Sequence, residues 1–151
     1  MESSVRKRLL IALASVLSVV AVAVGVSSCE HAFPDDRLDF YWRLDRIEYK
    51  DGVNLKGEAC QSEDVDNTMI GFARHMVLIE DLSRNFVLHG IMTEHSDSIR
   101  LDYSVYDNPQ VALSLLDYGM DSVVTSFKVE YPDRGRLILS TSKVTMRLRK
   151  W

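Results

Sequence analysis

Cysteine is scarce in this chain: Cys29 and Cys60 are the only two in 151 residues. Basic residues are outnumbered as well, 18 Lys and Arg against 22 Asp and Glu, for a net charge of −4. That balance leaves no basic face to neutralise phosphates, which argues against a nucleic-acid partner and against adhesion to anionic lipid by charge. Three motifs are also missing: a His-Glu-x-x-His pair, a Gly-x-Ser-x-Gly elbow and a Gly-rich phosphate loop. A catalytic set could still assemble through the fold, but no spacing favours one, and the chain is not expected to be an enzyme. His89 and His95 flank a turn beside Glu94 and Asp97, a set that could hold a divalent ion, yet a turn attracts polar residues in any case. Glu63, Asp64 and Asp66 lack the spacing and the glycine of a calcium loop and read as solvated charge. No metal and no cofactor is expected.

What is present begins with a basic start, Arg6-Lys7-Arg8, followed by an uncharged apolar run from Leu9 to Val26. This pattern is that of a secretory signal, although the run is also long enough to span a bilayer. Val26-Ser27-Ser28-Cys29, directly behind that run, resembles the lipobox of bacterial lipoproteins. The resemblance implies that the Cys29 thiol receives a diacylglycerol and that the chain is cut just before it. One acyl chain holds a protein only marginally and two or three hold it firmly, at roughly 0.8 kcal/mol per buried methylene. The expected organisation is a signal peptide over 1–28, a tether over 29–39 and a domain over 40–151, held at the cell envelope, most simply the outer membrane, facing the periplasm or the surface. Cleavage would remove Arg6, Lys7, Arg8 and Glu2 from the totals, leaving 15 basic residues against 21 acidic, net −6. Cys60 would then have no partner for an internal disulfide and reads as buried or inert.

Beyond the tether the chain breaks into short segments of period two, the signature of strands with one wet and one dry face. They are expected at Phe40 to Tyr49, Met69 to Ile79, Phe86 to Thr93, Ser98 to Val105, Ser122 to Tyr131, Arg136 to Ser140 and Lys143 to Trp151, with a loop from Gly57 to Asn67. In the second of these Ile70, Phe72, Met76 and Leu78 share a face, and in the fourth Val105 points in with Tyr103. One stretch departs from period two. Asn108 is an N-cap candidate, Pro109 suits the first helical position and Gly119 is a stop, so a single helix of about 10 residues is expected between. Short turns make neighbours antiparallel, and one dry face must be hidden. The expected class is all-β: an up-and-down antiparallel meander of seven or eight strands closing into a barrel with one inserted helix, with a two-sheet sandwich as the alternative.

Trp42 and Leu44 on the first strand, Tyr118-Gly119-Met120 in mid-chain and the closing Arg147-Leu148-Arg149-Lys150-Trp151 together resemble the lipocalin-like domain lipoproteins of Bacteroidetes. The resemblance implies a lipocalin-like barrel, with Phe40 standing where true lipocalins carry a glycine, and a late arginine, Arg147 or Arg149, packed across Trp42. It also implies a binding role without a defined reaction. A small apolar or amphipathic ligand at the barrel mouth would meet inward aromatic and Met side chains, for which Trp42, Phe72, Met76, Phe86, Met92, Tyr103 and Phe127 are the candidates. Gly90 marks missing volume or a close approach, and the helix would be a plug or a lid at one mouth. The alternative is a solid-cored interaction lipoprotein with a protein partner in the envelope.

Overall fold

A computed structural model describes residues 38–151. The expected anchor at Cys29 and the tether up to residue 37 lie outside the described residues. Among the described residues nine strands and one helix follow in order: β1 (Tyr41–Tyr49), β2 (Ser62–Asp64), β3 (Thr68–Ala73), β4 (Met76–Asp81), β5 (Phe86–Glu94), β6 (Ser98–Asp102), α1 (Pro109–Leu116), β7 (Val124–Asp133), β8 (Arg136–Ser140) and β9 (Val144–Lys150). Every pairing is antiparallel, the order β1-β3-β4-β5-β6-β7-β8-β9 is sequential, and β9 returns to β1. The result is a closed eight-stranded barrel rather than a sandwich, with no open edge in the ring.

The ninth strand, β2, lies on the same edge of β1 as β3. Arg46 to Glu48 face β2, and Tyr41 to Arg43 face β3. Val65-Asp66-Asn67 form a three-residue interruption between them, with Asn67 at φ 60°. The acidic stretch expected as plain loop therefore carries a short strand that extends the wall at one end. β1 itself bulges at Asp45, where its register with β9 shifts. The bulge resets the side-chain phase, so Trp42 and Leu44 point in and so do Ile47 and Tyr49.

The expected strand from Met69 to Ile79 is two strands. β3 and β4 form a hairpin around Arg74-His75, with Ala73 opposite Met76 and Arg74 at φ 54°. The Asp39 carboxylate accepts the Arg74 N–H at 3.1 Å and braces the turn. Phase flips across it, so Val77 and Ile79 are buried, while Met76, expected inside, is 57% exposed on the outer face with Leu78. Likewise β6 ends at Asp102, whose carboxylate accepts both the N–H and the hydroxyl of Ser104, and Val105 is exposed instead of inward.

Inside, Trp42, Leu44, Ile70, Phe72, Leu88, Met92, Leu101, Tyr103, Phe127, Leu139, Met146 and Leu148 form one continuous core. Gly90 is a close approach and not a void: a Cβ there would lie 2.7 Å from the Tyr103 ring. At the end where the chain enters, Trp42 Nε1 donates to the Leu38 carbonyl at 3.2 Å, and Tyr131 stands 6.4 Å from the indole. No late arginine crosses Trp42. Arg147 makes a two-bond pair with Glu48, Arg149 lies 3.5 Å from Asp45, and Lys150 sits 3.4 Å over the Phe40 ring. The bulge at Asp45 presents carboxylates on the outer face, and they hold both guanidinium groups there.

Candidate functional site

The opposite end of the barrel is capped by α1. Asn108 caps its start, its Oδ1 accepting the Gln110 N–H at 2.9 Å, and Pro109 takes the first turn. Val111 and Leu115 face the core, followed by Tyr118 and Met120. Gly119 turns the chain at φ 76°, and a Cβ there would sit 3.2 Å from Met146, so only glycine permits both the turn and the contact. Burying four large side chains at roughly 1.5–3 kcal/mol each makes the helix an integral cap.

The C-terminal end of the helix is pinned by polar contacts. Tyr118 Oη donates to Asp81 Oδ2 at 3.0 Å, and both residues are more than nine-tenths buried. Asp117 receives Arg84 Nη1 at 2.7 Å and pairs with Lys56 of the β1–β2 connection. Burial by itself would raise both carboxyls. For Asp81 the bonds from Ser83, Tyr118 and the Arg84 and Ser83 N–H groups outweigh it, and for Asp117 the two cations do, so both carboxyls are held below the ordinary range. Asn54 folds the β1–β2 connection around itself. Its Oδ1 accepts the N–H groups of Lys56 and Glu58, and its Nδ2 reaches Glu58 at 2.9 Å and Glu63 at 3.5 Å.

Between this connection, β2, the β4–β5 turn and the helix end lie two adjoining hollows of about 200 Å³ each, partly open to solvent. Glu63, Arg84 and Asp117 belong to both. Tyr49, Asn54, Leu55 and Leu116 line the outer hollow, and Val65, Thr68, Asp81 and Tyr118 the inner one. Glu63 accepts the Tyr49 hydroxyl at 3.1 Å, and Cys60 Sγ stands 3.8 Å from its other oxygen. Burial first, then the charge of Glu63, raises both the Tyr49 phenol and the Cys60 thiol, which keeps the half-buried Cys60 protonated and poorly nucleophilic. Thr68 is 1% exposed and its Oγ1 has no hydrogen-bond partner among the described residues.

The aromatic and Met residues expected to meet a ligand are placed differently from this cleft. Trp42, Phe72, Met92, Tyr103 and Phe127 are packed in the core, Phe86 is half-buried and stacks on Tyr118 with ring centres 5.9 Å apart, and Met76 faces outward. Among the described residues no group of three or more His, Cys, Asp and Glu side chains is set to hold a metal ion. The cleft residues escaped the sequence reading because they are polar and lie in what reads as connecting loop. The one local signal was the acidic run at Glu63 to Asp66, too rich in charge for its neighbours.

Residues 24–151 match the family model described as lipocalin-like domain. No curated protein matches the chain. Two solved structures share the fold: a lipocalin-like protein from Bacteroides uniformis (TM-score 0.55) and an uncharacterized protein from Bacteroides eggerthii (TM-score 0.57). Each is 19% identical and aligns over 76% of this chain and 99% of its own.

Proposed function

The chain belongs to the lipocalin-like domain family, and on that premise we propose that it is a non-catalytic, lipid-anchored binding protein of the cell envelope, taking one small amphipathic ligand at the helix-capped mouth. The observation that carries this reading is the pair of joined hollows under the helix end. They offer a concave, mostly polar site with convergent charged and hydrogen-bonding groups, to which Leu55, Leu116 and Val65 add a small apolar share. A fully apolar ligand is a poorer fit, because the axis of the barrel is occupied by Trp42, Tyr103 and Phe127, each at most 1% exposed. The role we assign to Cys29 is acylation, which would hold the domain at the outer membrane through fatty chains, facing the periplasm or the surface.

A second reading draws on the same filled axis: a solid-cored lipoprotein that meets an envelope protein through its outer wall, where Tyr41, Met76, Val87 and Ile91 are each at least half exposed. Native mass spectrometry of the detergent-solubilised chain with a mixed metabolite and lipid extract separates the two. A discrete adduct supports the ligand reading, and an unliganded mass throughout, joined by a specific crosslinked partner in cells, supports the other. The anchor is tested by intact mass: wild type is expected to begin at residue 29 and carry the acyl chains, while Cys29→Ala keeps its apolar run and carries none, and an unmodified Cys29 in the wild type would refute acylation at that residue.

A further inference from the structure

We propose that the ligand of the mouth cleft carries positive charge, a small organic ammonium whose counter-ion is Glu63. This rests on the reading of the cleft as the ligand site and narrows it to one chemical class. The cationic side chains of the cleft, Lys56 and Arg84, are already committed: both bind Asp117, and Arg84 Nε also lies 3.5 Å from Asp81. An incoming anion would therefore have to displace an existing pair. Glu63 is in the opposite situation. Its partners among the described residues are the neutral donors Tyr49 Oη, Asn54 Nδ2 and Cys60 Sγ, and no described Lys, Arg or His nitrogen lies within 4.0 Å of its carboxylate.

Glu58, on the rim of the outer hollow, is likewise held by Asn54 Nδ2 and paired with no cation among the described residues. A second observation points the same way from deeper in the cleft. Thr68 stands on the same face of β3 as the core residues Ile70 and Phe72, lines the hollow that contains Glu63 and keeps an unpartnered, fully buried hydroxyl oxygen. An ammonium has three donors and no acceptor, and here it would find a carboxylate without a cation and a hydroxyl without a bond. Burying an unpaired hydroxyl is unfavourable, so a donor at Thr68 relieves a cost that the protein alone leaves standing. No group of three side chains among the described residues is set to chelate a metal ion, so an organic cation suits the cleft better than a metal ion does.

The test uses the full chain in nonionic detergent and isothermal titration with four amines (ethanolamine, putrescine, spermidine and phenethylamine), alongside 3-phenylpropanoate and 2-phenylethanol. At least one amine is expected to bind, and Glu63→Gln should weaken it at least about tenfold, the loss of one charge-assisted contact. Thr68→Val should weaken it by a smaller factor, and Glu80→Gln on the outer wall should leave it unchanged. Glu58→Gln is the second cleft variant should Glu63→Gln fail to fold, as judged by its melting curve. Equal or tighter binding of 3-phenylpropanoate, or amine binding indifferent to Glu63→Gln, overturns the proposal. Silence from all four amines also overturns it; the cleft reading survives that result if an adduct of another class appears in the extract experiment, and falls with it otherwise.

Discussion

Replacing Tyr118 by Phe removes a single oxygen from the pin between the helix end and β4, and its effect follows from the structure. The lost bond joins Tyr118 Oη to Asp81 Oδ2 at 3.0 Å, between residues only 2% and 4% exposed. A hydrogen bond to a charged group contributes roughly 1.5–3 kcal/mol. Asp81 keeps its bonds from Ser83 and Arg84, which places the loss near the lower end, about 1.5–2 kcal/mol. For an ordered domain of this size that corresponds to a Tm lower by about 5–10 °C. The pH dependence gives an independent signature. The folded-state carboxyl of Asp81 is depressed below its ordinary value of 3.8, so its stabilisation is present above that value and is lost as pH falls through the folded one. Removing the Tyr118 donor moves the folded value upward, so wild type and variant should differ fully at pH 7, and the difference should shrink only as pH falls below 3.8 through the folded values. Urea denaturation at pH 7 and across that lower range measures both effects, and a double-mutant cycle with Asp81→Asn isolates the pair. A difference under about 0.5 kcal/mol at pH 7, or one that does not shrink across the lower range, would refute the reasoning.

Three further outcomes are expected. Gly90→Ala drives a methyl into the Tyr103 ring and should cost about 1–3 kcal/mol in chemical denaturation, and combining it with Tyr103→Leu should recover part of the loss. Asn108→Ala removes the helix cap and should lower stability by about 1 kcal/mol, with faster amide exchange confined to the first turn of α1. Met76→Glu, on the outer wall, should stay within about 0.5 kcal/mol of wild type, whereas Val77→Glu, one residue on and fully buried, should abolish cooperative melting.

Much of the barrel is legible in the sequence because a closed antiparallel sheet writes its inner face directly into period two. Phe127 and Val129 on β7, or Met146 and Leu148 on β9, point inward as their alternation requires. The helix is equally plain, since Asn108, Pro109 and Gly119 each do there what their backbone chemistry favours. The phase errors at Met76 and Val105 share an origin, an interruption of the alternating pattern that no Gly or Pro marks. Arg74-His75 makes a hairpin with no Gly or Asn, and Asp45 makes a bulge inside an unbroken strand pattern. Only tertiary pairing decides such places. The cleft was hidden for another reason: Asn54, Glu63, Thr68, Asp81 and Asp117 come from separate stretches of chain, and no local pattern announces that closure of the barrel brings them around two adjoining hollows.

The most direct measurement is an amide chemical-shift titration of the isotope-labelled chain with whichever ligand binds it. Changes should concentrate at Asn54, Glu63, Thr68, Arg84 and Asp117, around the capped mouth. Changes centred instead on Trp42, Met92 and Phe127 would place the ligand along the barrel axis and contradict the account.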